Sequence, residues 1–353
     1  MSIGVDRILM ASPDDVSGFA ALLDGGLVDP REIVAVIGKT EGNGGANDFT
    51  RALATLSVAR CIAGFTGESV EEVMQRVTLI WSGGCEGVIS PHATVFSRQP
   101  GGTGAGPSLT LGIGRSRVVL PEEIGTLVQV ELAAEAVRSA MQDAGITSPA
   151  DVHYVQVKGP LLTPARIADA KERGKQVIST DPNASKPMAR GALALGVAIA
   201  LDEVRAEAVT AQTLHHDQSL FSSVASTSVG GEVAECEVVL LGDSESAGSA
   251  YGIGHAVLDN PCDAKGIAAA HSAAGSGLIA AMFAKAEPVG QIMGRRTTML
   301  SDADIHAERH ARAALSGAIA AVLGETAVFI SGGTEHQCPP GKAPIAVIAR
   351  LKT

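Results

Sequence analysis

Aromatic side chains are scarce in this chain: one Trp, two Tyr and seven Phe in 353 residues, or 3%. A β-sandwich packed on aromatic rings is therefore disfavoured, and so is a single-strand nucleic-acid platform, which needs rings to stack on. No basic stripe exists either. Acidic and basic residues are mixed along the chain and the net charge is −11, which argues against a nucleic-acid partner. The five cysteines, Cys61, Cys85, Cys236, Cys262 and Cys338, form no CxxC pair. That leaves neither a zinc ribbon nor a disulfide framework and fits a reducing compartment. No apolar run approaches the roughly 18 uncharged residues of a membrane span. The Ala-rich stretch at 191–201 is shorter and fits a buried helix. The opening MSIGVDRILMASPDD has no apolar core of the signal-peptide kind, so a cytoplasmic location is expected. HAERH (306–310) places its glutamate one position late for a zinc HExxH helix. GTGAGPS (102–108) lacks the GK[ST] ending of a phosphate loop, and His215–His216 reads as surface loop rather than metal ligand.

What is present is small and apolar. Hydrophobic residues make up 46% of the chain and there are 41 glycines, which favours close helix-on-sheet packing. The length allows two or three domains. WSGGCEG (81–87) and ISGGTEH (330–336) both follow a strand-like apolar run and both read Ser-Gly-Gly-x-Glu. Three apolar runs end in lysine: IVAVIGK at Lys39, VHYVQVK at Lys158 and LIAAMFAK at Lys285. The first two are β-branched strands. The third has weak strand propensity, and only its place in the repeat argues for a strand. Downstream of each lysine an Ala-rich helical pattern opens at an arginine, Arg51, Arg190 or Arg312, with Arg309 a weaker competitor for the last. A serine follows each helix: Ser82, then Ser226 in ASTSVGGE, then Ser331. The order Lys, Arg, Ser thus recurs three times. It predicts three copies of one α/β domain, with boundaries in QPGGTGAGPS (99–108) and GDSESAGSAYG (242–252), that is 1–103, 104–249 and 250–353.

A single strand-terminal lysine is ordinarily a solvated end. Three at matched positions, each with a downstream serine, point to chemistry. A lysine in a partly desolvated site loses preference for its charged form and can take a hydroxyl proton, which makes serine a nucleophile. Glycines beside the serine let backbone N–H groups reach a carbonyl oxygen as it gains charge. The middle copy departs from the pattern, with Thr227 and Ser228 after Ser226, and is the suspect for the asymmetric chemical role. An arginine at a helix start opposes the helix dipole, and three such placements imply a shared acceptor such as the carbonyls of a small ring. The turn GGTEHQCPPGK (332–342) is rich in carbonyls that suit Mg²⁺ or Ca²⁺.

GKTEGNGGANDFTRALA, WSGGCEGVISPHATVF, VQVKGPLLTP, SKPMARGALALGVA, ASTSVGGEVAECEV, GRRTTMLSDADI and SGGTEHQ together resemble the cyanuric acid hydrolase/barbiturase family over essentially the whole chain. The resemblance implies three similar α/β domains around a pseudo-threefold axis, with a planar ring substrate on the axis. It implies three pairs, Lys39 with Ser82, Lys158 with Ser226 and Lys285 with Ser331, the last lysine being the least firmly fixed. Attack falls to Ser226, with Lys158 as its base. Arg51, Arg190 and Arg312 hold the substrate, and backbone N–H groups near Gly83, Thr227 and Gly332 contact ring carbonyls. No cofactor is needed for catalysis. A structural Mg²⁺ (or Ca²⁺) is implied at Glu287 and Gln337 with the carbonyls of Thr334, Cys338, Pro339 and Lys342. A homotetramer is expected. The reaction expected is hydrolytic opening of cyanuric acid to carboxybiuret, then biuret and CO₂. The alternatives are opening of barbituric acid to ureidomalonic acid, and a non-catalytic binding protein for small cyclic imides.

Overall fold

A computed structural model describes residues 2–102 and 106–352. The expected boundary at 103/104 lies outside the described residues. The first repeat runs β1 (Ser2–Leu9), α1 (Ser17–Asp24), β2 (Ile33–Thr40), α2 (Thr50–Thr66), α3 (Val70–Arg76), β3 (Thr78–Gly83) and β4 (His92–Gln99). The second runs β5 (Ser108–Val118), α4 (Leu127–Ala144), β6 (Val152–Pro160), α5 (Pro164–Glu172), α6 (Pro182–Ala200), β7 (Ala225–Gly230) and β8 (Glu235–Ser244). The third runs β9 (Tyr251–Leu258), α7 (Ala264–Ala273), β10 (Ile279–Ala286), the hairpin β11 (Gln291–Ile292) and β12 (Arg295–Arg296), α8 (Ala307–Leu323), β13 (Phe329–Gly332) and β14 (Ala343–Arg350). LIAAMFAK is therefore a strand, as its place in the repeat argued.

Each repeat folds its main sheet in the same order: β1-β4-β2-β3, β5-β8-β6-β7 and β9-β14-β10-β13. In each, one parallel pair is joined through the helical crossover, β2 with β3, β6 with β7 and β10 with β13, and the other neighbours are antiparallel. The lysine lies near the C-terminal end of the first strand of that parallel pair. The chain is a three-repeat α/β protein arranged about a pseudo-threefold axis.

Alternation along the strands sends one face of each sheet to its own helices and the other to the axis. The axial core takes Ile37, Ile80 and Phe96 from the first repeat, Tyr154, Val239 and Leu241 from the second, and Phe283, Phe329 and Ile348 from the third. Phe283 is its hub, with its ring 4.7 Å from Tyr154, 6.1 Å from Phe329 and 6.4 Å from Phe96 between centroids. The outer faces bury separate helix-on-sheet cores, such as Phe19, Val58 and Ile62 in the first repeat. Small residues allow that close approach: a side chain at Gly112 or Gly114 would meet the α4 backbone at Ala140 or Ala136.

Two expectations need correction. Only Arg51 stands at a helix start. Arg190 and Arg312 lie inside α6 and α8, whose caps are Asp181 and His306 upstream. In the first repeat the glycine-rich stretch GNGGAND does not continue the helix, so α2 begins later. Likewise the run LFSSVA is not a strand. β7 begins only at Ala225 and ends at Gly230, four residues beyond Ser226.

Candidate active site

The axial faces of the three sheets converge on a small cleft lined by Arg51, Arg190 and Arg312, by Ser82, Ser228 and Ser331, by Lys158, and by Gly83, Val229 and Gly332. Strand register fixes the pairs. Lys39 stands opposite Ser82 and Lys285 opposite Ser331. Lys158 stands opposite Ser228, and the residue opposite Gln156 is Ser226. The expected Lys158–Ser226 pair is therefore not formed. Ser226 lies one rung deeper, buried, with its hydroxyl donating to Gln156 Oε1 at 3.0 Å. A countable signal marks the serine that stands opposite Lys158. Ser82 precedes Glu86 and Ser331 precedes Glu335 by four positions, and the residue four before Glu232 is Ser228.

The expected N–H contact at Thr227 also fails, because its backbone N–H already donates to Gln337 Oε1 at 2.7 Å. With Ser228 as the reference, Val229 takes the place that Gly83 and Gly332 hold in the other repeats, and it lines the cleft.

The three lysines are fully buried, and burial dominates their titration. Lys39 falls to about 7, from burial and then the nearby charge of Arg312. Lys285 also falls to about 7, from burial and then Arg190. Lys39 Nζ donates to Ser82 Oγ (3.3 Å) and the Gly83 carbonyl (3.2 Å). Lys285 Nζ donates to Ser331 Oγ (3.0 Å) and to the carbonyls of Thr227 (2.8 Å) and Gly332 (3.1 Å). Lys158 differs. It turns to Glu232 at 2.9 Å and to the Trp81 carbonyl at 3.2 Å. Burial pulls its pKa down while Glu232 holds part of the charge in place. Ser228 Oγ, which is itself buried, has no hydrogen-bond partner among the described residues.

The arginines form a cyclic set of ties between repeats. Arg51 reaches Glu232, Arg190 reaches Glu335 and Arg312 reaches Glu86. The last two are forked, with Nε and Nη2 each on one carboxylate oxygen at 2.6–2.8 Å. Such planar forks hold guanidinium groups in fixed orientation. Burial pushes Glu232 upward, but Lys158 and Arg51 more than offset it and leave it at about 2. The competitor Arg309 has a half-exposed side chain and does not line the cleft.

Besides Ser228 and Val229, sequence reasoning missed two charged lining residues, Lys186 and Glu308. They stand four positions before Arg190 and Arg312, where the first repeat has Asn47. Neutral, positive and negative side chains at one matched place share no motif, so repeat matching does not find them. Lys186 Nζ donates to the Gly44 carbonyl at 3.0 Å, and Glu308 sits 3.6 Å from Arg312 and 3.8 Å from Arg190.

At the turn expected to hold a metal, Glu287 accepts a hydrogen bond from Thr334 Oγ1, and burial pushes its carboxyl above the usual range. A partly buried carboxylate whose bonded neighbour is a hydroxyl suits a hard cation. Gln337 does not join it. Its oxygen faces Thr227 and its nitrogen donates to the Gly333 carbonyl at 3.0 Å. Cys338 Sγ lies 2.8 Å from the Lys342 carbonyl, and the Pro339 carbonyl accepts from Lys342 N–H at 3.1 Å. Among the described residues no group of three or more His, Cys, Asp or Glu could hold a metal ion. No helix among them is long and apolar enough to cross a membrane.

Three lysine–serine pairs and three fixed guanidinium groups around one axis define the class: a pseudo-threefold α/β hydrolase acting on cyclic amides. The chain belongs to the ring-opening amidohydrolase family, whose family model matches residues 4–350. It is 58% identical to a cyclic amide hydrolase of Azorhizobium caulinodans, over 99% of this chain and 100% of that one. It is 46% identical to a cyanuric acid amidohydrolase of Bradyrhizobium diazoefficiens, over 99% and 98%. A solved cyanuric acid hydrolase superposes with a TM-score of 0.94 at 46% identity, covering 99% of each chain. The cyanuric acid hydrolase of A. caulinodans superposes with a TM-score of 0.92 at 44% identity, over 100% of this chain and 99% of that one.

Proposed function

We propose that the protein opens cyanuric acid by hydrolysing one ring C–N bond, with Ser228 as nucleophile and Lys158 as its base. The observation that carries this is the threefold set of hydroxyls and guanidinium groups around one small cleft. A ring with three equivalent carbonyls can be met by it on every side. Relatives at 44–47% identity over nearly their whole length that are named cyanuric acid amidohydrolases support the substrate.

Ser228 Oγ attacks a ring carbonyl carbon and its proton passes to neutral Lys158. The tetrahedral oxyanion is met by backbone N–H groups and guanidinium charge. The ring C–N bond breaks and the departing nitrogen takes a proton from Lys158. Water then attacks the seryl ester, freeing Ser228 and a carboxylate. The product is carboxybiuret, which loses CO₂ to give biuret. Ser228 is the free hydroxyl of the three, whereas Ser82 and Ser331 are engaged by their lysines. Lys158 must shed its proton before attack. Burial, which already disfavours the lysine's charge, favours that step.

A second reading has one specific observation behind it. The relative at 58% identity is named only a cyclic amide hydrolase, while the same organism's cyanuric acid amidohydrolase is 45% identical. Barbituric acid, which carries CH₂ where cyanuric acid carries a ring N–H, is therefore the rival substrate. Side-by-side kcat/KM values on the two compounds decide the matter. A preference for cyanuric acid is expected, turnover of barbituric acid alone would give the rival, and binding without turnover of either would sink the hydrolase reading. We further propose a cytoplasmic enzyme that assembles as a homotetramer. A monomer in light scattering at working concentration would overturn the assembly.

A further inference from the structure

We infer that Tyr154, Gln156 and Ser226 form a positioning layer directly beneath Lys158 and Ser228, and that this layer singles out the middle pair for attack. The inference rests on the proposed role of Ser228. The three side chains are buried in the axial core, at 4%, 0% and 1% exposure. Gln156 Oε1 accepts from the Tyr154 hydroxyl at 2.6 Å and from the Ser226 hydroxyl at 3.0 Å. Gln156 and Ser226 are cross-strand partners, one rung below the Lys158–Ser228 rung of the same parallel pair.

The other repeats show what this layer replaces. The rung below Lys39–Ser82 is Ile37–Ile80, and the rung below Lys285–Ser331 is Phe283–Phe329. Four residues before each lysine stand Ala35, Tyr154 and Ala281. Two repeats thus plug the axis with apolar side chains, and the middle one inserts a tyrosine, an amide and a hydroxyl. Burying polar groups brings a desolvation penalty that an apolar plug avoids, so stability alone does not account for the choice. The layer ties β6 to β7 through side chains at the rung next to the reacting one. Above it the pair is also arranged differently. Lys158 leans to Glu232 and to Trp81 of the first repeat, and Ser228 Oγ has no partner among the described residues. In the repeats with apolar plugs lysine and serine are bonded to each other. A symmetric ring on a symmetric site gives no reason for one carbonyl to be attacked, and this asymmetric floor supplies one. Tyr154, Gln156 and Ser226 do not touch the substrate in this account. They hold the groups that do.

The test uses the full-length protein with Ser226→Ala, Ser226→Thr and Tyr154→Phe, set beside Ser228→Ala and Ile37→Val. Ile37→Val opens a similar small void in the same layer under a different pair. Steady-state kinetics on cyanuric acid should show kcat reduced about tenfold or more in Ser226→Ala, as misplacement of a reacting group does. KM should change by less than about twofold, because binding is left intact. Tyr154→Phe, which removes one oxygen and keeps the ring, should lose kcat in the same direction. Ser226→Thr keeps the hydroxyl and should restore kcat, and Ile37→Val should keep it. Wild-type kcat in both Ser226→Ala and Tyr154→Phe, with Ser228→Ala inactive, overturns the positioning layer alone. Loss in Ser226→Ala that Thr does not rescue, or equal loss in Ile37→Val, also overturns it, because packing would then be the cause. Turnover by Ser228→Ala overturns the nucleophile assignment on which the layer depends.

Discussion

Arg312 of the third repeat grips Glu86 of the first through two parallel hydrogen bonds, Nε to Oε2 at 2.7 Å and Nη2 to Oε1 at 2.6 Å. The same contact recurs between Arg190 and Glu335, and in a looser single-bond form between Arg51 and Glu232. Each guanidinium therefore lines the cleft while it fastens one repeat to the next. Substrate binding and the closure of the three repeats share one set of side chains.

A double-mutant cycle on Arg312→Ala and Glu86→Ala measures that sharing. Both side chains are mostly buried, at 8% and 17% exposure, so solvent screening is limited. The coupling energy in urea unfolding should exceed about 1 kcal/mol, the upper end for exposed pairs. A coupling near zero would mean that the fork does not hold the repeats together. Arg312→Ala should also raise KM, since it removes a donor from the cleft.

The serines should behave unequally. Ser228→Ala should abolish turnover, and Lys158→Ala should lower kcat on the order of 10²–10⁴-fold, the range for a lost general base. Ser82→Ala and Ser331→Ala should chiefly weaken binding, by roughly 0.5–1.5 kcal/mol for each lost hydrogen bond. Rapid quenching followed by peptide mass mapping should find the acyl group on Ser228. An adduct on Ser82 or Ser331 would move the reaction to another repeat.

Much of this was legible in the chain itself. The recurrence of lysine, arginine and serine carried the three-repeat architecture, because residues that meet on an axis must sit at matched strand ends. The expected pairing of Ser226 with Lys158 failed for a physical reason. Phe221–Val224 looks apolar enough for a strand, yet Ser222 N–H donates to the His336 carbonyl at 2.9 Å and the segment stays irregular. Counting back four residues from Glu232 selects Ser228 instead. The forks between arginine and glutamate were out of reach, because each joins residues at least 145 positions apart.

Removal of divalent metal should leave the chemistry standing. The attacking group, its base and the charge stabilisers are all side chains or backbone groups of the cleft. The carbonyls of Thr334, Cys338, Pro339 and Lys342 are on the last turn and Glu287 follows β10 beside it, where a proposed Mg²⁺ would brace the segment that carries Ser331 and Glu335. Thorough chelation should lower the thermal midpoint and leave most of kcat, with the midpoint recovered on adding Mg²⁺. Complete loss of kcat at a temperature where the chain stays folded, reversed by Zn²⁺ alone, would contradict this.

Stability should respond to pH in an uncommon direction. Lys39 and Lys285 titrate at about 7 in the folded protein, against 10.5 for a free lysine, chiefly because burial disfavours their charge. Below pH 7 both lysines hold protons whether the chain is folded or not, and they contribute no slope. Between 7 and 10.5 the unfolded chain keeps protons that the folded chain has released, so these two groups make unfolding harder as pH rises. Urea midpoints of the wild type and of a Lys39→Met, Lys285→Met variant at about pH 6 and about pH 9 isolate the effect. The wild type should gain on the variant as pH rises. A constant difference across that interval would mean that neither lysine is held neutral by its burial.

Lys186 offers the last handle. It lines the cleft beside Arg190, and its ammonium reaches across to the Gly44 carbonyl in the glycine-rich loop between β2 and α2. One bond therefore joins the second repeat to a loop of the first at the cleft. Burial and the charge of Arg190 depress the lysine's pKa, so it adds positive potential that is sensitive to its surroundings. Imide rings are acidic, and an anionic ring gains from that potential as it enters. Lys186→Met keeps the apolar stem and removes both the charge and the bond. KM for cyanuric acid should rise about tenfold or more, as the loss of one charge-assisted hydrogen bond of roughly 1.5–3 kcal/mol implies. The kcat should stay within about threefold, because Lys186 is bonded neither to Ser228 nor to Lys158. A fall in kcat with KM unchanged would place Lys186 among the groups that act in the transition state.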